Sequence, residues 1–433
     1  MKDTIKKVIL EWQEEGFSSV INRSYHIEYT EEINTIIGLR RSGKTYIIYN
    51  EILRLVKQGI GRDQIVYLLF EDERLEPLES QQLDLIIEAY YELYPENQTK
   101  SVYLFFDEIQ YIDNWELFIK RLYEKKRYKI TLTGSSSKLS SDEIATELRG
   151  RTLSLNIYPL HFKEFLSFRG IVLSKNTAFS RERFGIIKHA EEFLRFGGLP
   201  RIALTHDELM KKELLKNYLD MIIFKDIVER YEIRNTHILK VIINYVLMNC
   251  STPFSINSFI NKLGSEYSLN KDTIFTYFSY LEEAGFIYYA PRFAYRVKER
   301  YLTKKIYIID NGFLQLTVFK ENQITGASFE NLIFTELIKA DYSVFFFRDK
   351  NNNECDFIAR KESRETLAIQ VSYTLHHDNK KREIRGLVAA LEHLNVKEGI
   401  LITKDQEETI HEDSYVIHVV PYWKWMLEIN KKL

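Results

Sequence analysis

Gly38-Leu-Arg-Arg-Ser-Gly43-Lys44-Thr45 follows the apolar run Thr35-Ile-Ile and leads directly into an amphipathic stretch that reaches Gln58. This is GxxxxGK[ST] in full, in the strand-to-helix setting that a phosphate-binding loop requires. Glycines let the backbone turn its N–H groups inward, and the helix start adds partial positive charge. Lys44 reaches for the β and γ phosphates and Thr45 offers a hydroxyl to Mg²⁺. Gly38, Arg40, Arg41, Ser42, Gly43, Lys44 and Thr45 are the expected ATP-binding residues.

Outward from this loop, short apolar runs alternate with longer amphipathic ones from Ile33 to about Pro159, the signature of βαβ units around a parallel sheet. Strands are expected at Thr35-Ile-Ile, Ile65 to Phe70, Val102 to Phe106 and Lys129 to Thr133, with helices at Lys44 to Gln58, Leu83 to Leu93 and Trp115 to Lys126. Val102-Tyr-Leu-Phe-Phe ends in Asp107-Glu108, which suits a Walker B element. Asp107 is placed to hold Mg²⁺ and Glu108 to polarise the attacking water. After the strand Thr131-Leu-Thr, Ser135 or Ser136 is the candidate to orient water, with Ser135 the choice for sensing the γ-phosphate. Arg149-Gly-Arg151 supplies two guanidiniums, of which Arg151 is the better candidate for stabilising γ-phosphate charge, in cis or across a subunit interface.

A chain of 433 residues has room for two to four domains, and 7 prolines and 17 glycines are too few for a linker-dominated architecture. The formal charge of −2 excludes a whole-molecule basic field, so any nucleic-acid contact must be local. Cys250 and Cys355 form no CxxC pair, which argues against a disulfide framework or a cysteine-rich zinc site and fits a reducing cytoplasm. The charged N-terminus and the lack of any apolar run near 18 residues predict a cytoplasmic chain without membrane spans.

Arg181 to Tyr231 reads as helical, broken by Phe196-Gly-Gly-Leu-Pro200. Residues 236 to 305 read helix, helix, helix, hairpin, a spacing that suits a winged helix, with Ile274, Phe275, Phe278 and Leu281 as the apolar stripe of the third helix. The wing, residues 291 to 305, gathers Arg292, Arg296, Lys298, Arg300, Lys304 and Lys305 among Phe293, Tyr295 and Tyr301. It suits weak nucleic-acid binding through phosphates and stacking, or equally a solvated hairpin packed on the ATPase core. The third helix offers mostly hydroxyls, Tyr277 among them. From Phe329 a helix, strands at Ser343 to Phe347, Cys355 to Ala359 and Leu367 to Ser372, a helix at Lys380 to Leu394 and a strand at Gly399 to Thr403 mark a third, α/β domain.

The phosphate loop, Leu104-Phe-Phe-Asp-Glu-Ile-Gln110, Thr133-Gly-Ser-Ser-Ser137, Leu148-Arg-Gly-Arg151, Tyr158-Pro-Leu-His-Phe-Lys-Glu-Phe-Leu166, Phe196-Gly-Gly-Leu-Pro200 and Lys305-Ile-Tyr-Ile-Ile-Asp310-Asn-Gly-Phe313 together resemble the prokaryotic AAA-type ATPase family of archaea and many anaerobic bacteria. The resemblance spans nearly the whole chain. It implies an ATPase core with parallel sheet (1–180), a helical lid (181–235), a winged helix (236–318) and a C-terminal restriction-endonuclease-like α/β domain (319–433). In that nuclease fold's order, Glu330, Asp356 and the strand Gln370-Val-Ser372 fall where an acidic helix residue, a metal-binding Asp and a (D/E)xK strand belong. Gln370 and Ser372 break the pattern, which argues against nuclease catalysis unless Glu354 or His377 compensates. His376-His377-Asp378 reads as an exposed loop. The expectation is an ATPase using ATP and Mg²⁺, coupled to a winged-helix and nuclease-like module, with nucleic acid, a further copy or a protein as partner. The alternatives are an ATP-regulated metal-dependent nuclease and a nucleotide-controlled assembly switch, for example in defence.

Overall fold

Buried apolar runs become strands because only a sheet covered on both faces hides them completely. In the computed structural model, which describes residues 1–17, 20–135, 148, 150–173, 182–267, 270–294, 303–317, 326–363 and 365–429, β1 (Ile33–Gly38), β2 (Ile65–Leu69), β3 (Val102–Asp107), β4 (Tyr128–Ser135) and β5 (Thr152–Ile157) form one parallel sheet. Their order is β2-β3-β4-β1-β5. Helices Lys44–Lys57, Asp84–Leu93 and Trp115–Glu124 cover it. All six residues of β1 are buried, and its neighbours β4 and β5 run parallel to it. The C-terminal ends of β1, β3 and β4 therefore meet at one edge, where open α/β sheets bind ligands.

The chain divides into two compact units, residues 1–158 with 283–285, and residues 159–282 with 286–433. In the second unit, helices Phe162–Phe168, Arg183–Phe196, Pro200–Leu204 and Glu208–Met221 are followed by a π-helical turn at Ile222–Val228. Helix Thr236–Met248, β6 (Thr252–Phe254), helices Ile256–Tyr267 and Lys271–Glu283, then β7 (Ile287–Pro291) and β8 (Lys304–Ile308) come next. Antiparallel pairing gives the order β6-β8-β7. The third helix buries Ile274, Tyr277, Phe278 and Leu281, while Phe275 is 62% exposed. The expected stripe is corrected by one residue. Spacing i, i+3, i+4, i+7 selects Tyr277 for the core and turns Phe275 toward solvent.

Helix Gly326–Lys339 then leads into β9 (Ser343–Arg348), β10 (Glu354–Arg360) and β11 (Thr366–Val371), helix His377–Leu394, β12 (Glu398–Thr403), β13 (Glu408–Glu412), β14 (Tyr415–Pro421) and helix Tyr422–Ile429. The sheet order is β13-β14-β12-β11-β10-β9. One apolar core runs from Leu160, Phe162 and Phe165 through Phe193, Tyr307 and Phe334 to Tyr422 and Trp425. Among the described residues no helix is long and apolar enough to cross a membrane.

Three of the motifs beyond the phosphate loop are fasteners of this second unit. His161 caps helix Phe162–Phe168, its Nδ1 accepting from the Glu164 amide at 3.4 Å while Glu164 accepts from the His161 amide at 3.3 Å. Gly197 has φ 73°, and a Cβ there would lie 1.7 Å from Asp310 Oδ1, so no other residue fits. Asp310 accepts from the amides of Gly198 at 2.7 Å and Gly312 at 2.9 Å, which ties Phe196-Gly-Gly to Asp310-Asn-Gly.

Candidate functional site

At Gly38 the chain leaves β1, and a Cβ would stand 2.3 Å from the Ile157 carbonyl oxygen, which explains the first loop glycine. Arg41 and Gly43 both take left-handed conformations, φ 68° and 99°, before helix Lys44–Lys57 begins. Alternating hands of this kind turn successive amides to one side, the arrangement of an anion nest. Ser42 is fully buried and its hydroxyl has no hydrogen-bond partner among the described residues. An orphaned buried hydroxyl between two left-handed residues is what a phosphate oxygen would satisfy.

Lys44, 5% exposed, donates to the Gly38 carbonyl at 3.2 Å and lies 3.4 Å from Glu108 Oε1. Asp107 ends β3 fully buried. It accepts hydrogen bonds from Thr133 Oγ1, from Tyr67 Oη at 3.2 Å and from Thr45. Burial pushes the Asp107 carboxyl up to about 6, against the pull of Thr133. Glu108 stands in a left-handed conformation, φ 54°, and its amide donates to Thr133 Oγ1 at 3.0 Å. Burial alone would raise its pKa, but Lys44 and Gln110 hold it below the usual range. Two adjacent acids thus shift in opposite directions, each set by the groups that face it.

The structure gathers Gly38, Ser42, Gly43, Lys44, Thr45, Asp107 and Glu108 at one sheet edge. Ser135 ends β4 directly beside Gly38 in the parallel register. Arg40 instead pairs with Glu71 at 3.2 Å. Arg151, expected to act in cis or across a subunit interface, sits at the opposite end of β1 from the loop. Its carbonyl accepts from the Ile33 amide at 2.7 Å, at the start of β1, and its guanidinium lies over the Tyr123 ring at 5.7 Å. Five strand steps of about 3.3 Å, roughly 16 Å, separate that edge from the loop, so Arg151 does not reach the phosphate site of its own chain. Arg149 and Ser136 lie outside the described residues.

Two residues escape a reading of motifs. Thr133 bridges Asp107 and Glu108, and Arg23 donates to the Ser42 carbonyl at 2.8 Å and the Tyr158 carbonyl at 3.0 Å, bracing the loop from a segment far upstream. The hydroxyl-bearing strand end signals the first. Nothing local signals the second.

Of the wing's basic and aromatic residues, Arg292, Phe293, Lys304 and Lys305 are described. Lys305 is buried among carboxylates, Phe293 is 7% exposed, Arg292 donates to the Arg348 carbonyl at 2.6 Å, and Lys304 lies 3.2 Å from the centre of the Tyr289 ring. Arg296, Lys298, Arg300, Tyr295 and Tyr301 lie outside the described residues. Tyr277, one of the hydroxyls that the third helix offers, belongs to the core. His376 caps helix His377–Leu394, so His376-His377-Asp378 is an exposed helix start. Cys250 and Cys355 are buried free thiols.

Residues 30–166 match the model of an AAA domain. Residues 187–323 and 325–425 match two domains of unknown function, DUF8612 and DUF4143. The chain is 37% identical over 422 residues to the uncharacterized protein MJ1544 of Methanocaldococcus jannaschii, covering 95% of this chain and 92% of that protein. It is 32% identical over 402 residues to an uncharacterized protein of Haemophilus influenzae, covering 92% and 95%. Among solved structures, the Walker-type ATPase PABY2304 of Pyrococcus abyssi aligns with 72% of this chain and 93% of its own, at 13% identity and a TM-score of 0.42.

Proposed function

This chain belongs to the family of the Methanocaldococcus jannaschii protein MJ1544, built on an N-terminal AAA domain, and on that premise we propose that it binds and hydrolyses ATP with Mg²⁺ at the edge formed by β1, β3 and β4. The observation that carries this reading is the meeting of Lys44, Thr45, Asp107 and Glu108 beside the orphaned Ser42 hydroxyl. The loop amides and Ser42 would take phosphate oxygens. Thr45 and Asp107 would hold Mg²⁺, which supplies charge neutralisation at the β and γ phosphates when bound. Lys44 exchanges its contact with Glu108 for the γ-phosphate, which frees the Glu108 carboxylate to take a proton from the attacking water. Thr133 keeps both acids in register, and Ser135 is the nearby candidate for sensing the γ-phosphate.

The helix, β6, helix, helix, β7, β8 order supports a winged helix for residues 236–318. The helix, β9-β10-β11, helix, β12 order supports a nuclease-like fold for residues 319–433, after an ATPase core at 1–180 and a helical lid at 181–235. We assign that last domain no cleavage activity, because Gln370 and Ser372 replace the expected acid and lysine. The test is ATP turnover and nucleotide binding in purified protein. Lys44→Ala should lose binding, and Glu108→Gln should keep binding while turnover falls a hundredfold or more, on the order of 3 kcal/mol. Unchanged turnover in Glu108→Gln removes that residue from its role.

A further inference from the structure

β8 places two adjacent lysines in opposite settings, because successive side chains along a strand point to opposite faces. Lys304 lies over Tyr289. Lys305 turns inward, its side chain 3% exposed, with Nζ 2.9 Å from Glu330 Oε1, 2.8 Å from Glu354 Oε1 and 3.1 Å from Asp356 Oδ1. An ammonium carries three N–H donors, and here three carboxylates face it. These are charge-assisted hydrogen-bond lengths, longer than the roughly 2.0–2.1 Å at which oxygens hold Mg²⁺.

Each carboxylate has a second donor. Tyr307 donates at 2.7 Å to the same Glu330 oxygen, Oε1, while Arg348 Nε donates to Glu354 Oε2 at 2.9 Å and the Val371 amide to Asp356 Oδ2 at 3.0 Å. Gln370 accepts from the Asp356 amide at 3.2 Å and donates to Glu383 at 2.6 Å, while the Ser372 hydroxyl donates to the Thr374 carbonyl at 3.1 Å. Burial opposes the Lys305 charge, yet Glu330, Asp356 and Glu354 outweigh it and hold the ammonium well above its ordinary range.

We propose that Lys305 is the resident cation of this carboxylate cluster: its tethered ammonium stands where a cleavage centre of this fold would hold a divalent metal, and it bolts β8 to helix Gly326–Lys339 and to β10. The inference rests on the nuclease-like reading of this domain and explains its inactivity by more than the two substitutions in β11. It is independent of the nucleotide site.

The test is Mn²⁺ binding to full-length, nucleotide-free protein, followed by electron paramagnetic resonance of free Mn²⁺. Wild type should show no site that Asp356→Asn removes. Lys305→Ala should gain one Mn²⁺ per chain, and Lys305→Ala/Asp356→Asn should lose it. A wild-type Mn²⁺ that disappears in Asp356→Asn overturns the proposal and makes Lys305 a lysine beside a working metal. A folded Lys305→Ala that takes up no Mn²⁺ overturns it as well. If Lys305→Ala is unfolded in plain buffer, it is refolded with millimolar MnCl₂ or an equal ionic strength of NaCl. Helical circular dichroism regained only with Mn²⁺ supports the proposal, and no difference between the salts overturns it. ATP turnover by the same wild-type preparation reports separately on the nucleotide reading, which stands or falls without this result.

Discussion

Two buried lysines, one in each unit, face carboxylates in different ways. Lys44 has one carboxylate at 3.4 Å, one carbonyl at 3.2 Å and a neighbouring hydroxyl without a partner among the described residues. Lys305 has three carboxylates within 3.1 Å, each also held by another donor. Burial is the same, and what differs is how many donors and acceptors are already matched. An under-matched polar cluster is prepared for a ligand, whereas one in which every charged group is matched fixes a fold.

The comparison breaks most readily at Lys305. Replacing it by Met leaves buried acids without their counter-ion, so the unit should lose about 3–5 kcal/mol, read as a lowered denaturation midpoint. Lys44→Met should shift that midpoint little. Equal shifts in the two variants would end the distinction.

The nucleotide side is sharpened by Thr133→Val, which keeps the shape of the side chain and removes its bridge between Asp107 and Glu108. Losing this bridge should cost about 1–2 kcal/mol in the transition state, a fall in kcat of roughly five- to thirtyfold, with ATP affinity preserved. A drop in affinity with kcat unchanged would place Thr133 in binding instead. The smallest effect is expected for Arg151→Ala in dilute protein, where turnover should stay within about twofold because the residue lies on the far sheet edge. A large loss that grows with protein concentration would show that Arg151 acts across an interface.

The parallel strands were legible because a strand buried on both faces is a continuous apolar run, as in Ile65–Leu69. β5 and β13 were not, since β5 buries one of its six residues, β13 buries none, and neither carries such a run. The phosphate loop could be read because its function is contiguous in sequence. Thr133 could not be separated from Ser135 without knowing that its hydroxyl turns toward β3. Lys305 was assigned to the wing because its partners lie 25 and 51 residues away, and only the fold brings Glu330 and Asp356 to it. Phe275 was misplaced by one helical position, an error of about 100° around the axis.

Equilibrium binding of a fluorescent ATP analogue with Mg²⁺, measured side by side on wild type, Lys44→Met and Lys305→Met after circular dichroism has verified that both variants are folded, tests the division most directly. The account predicts that Lys44→Met abolishes binding while Lys305→Met stays within about twofold of wild type. Full affinity in Lys44→Met, or lost affinity in a folded Lys305→Met, would contradict it.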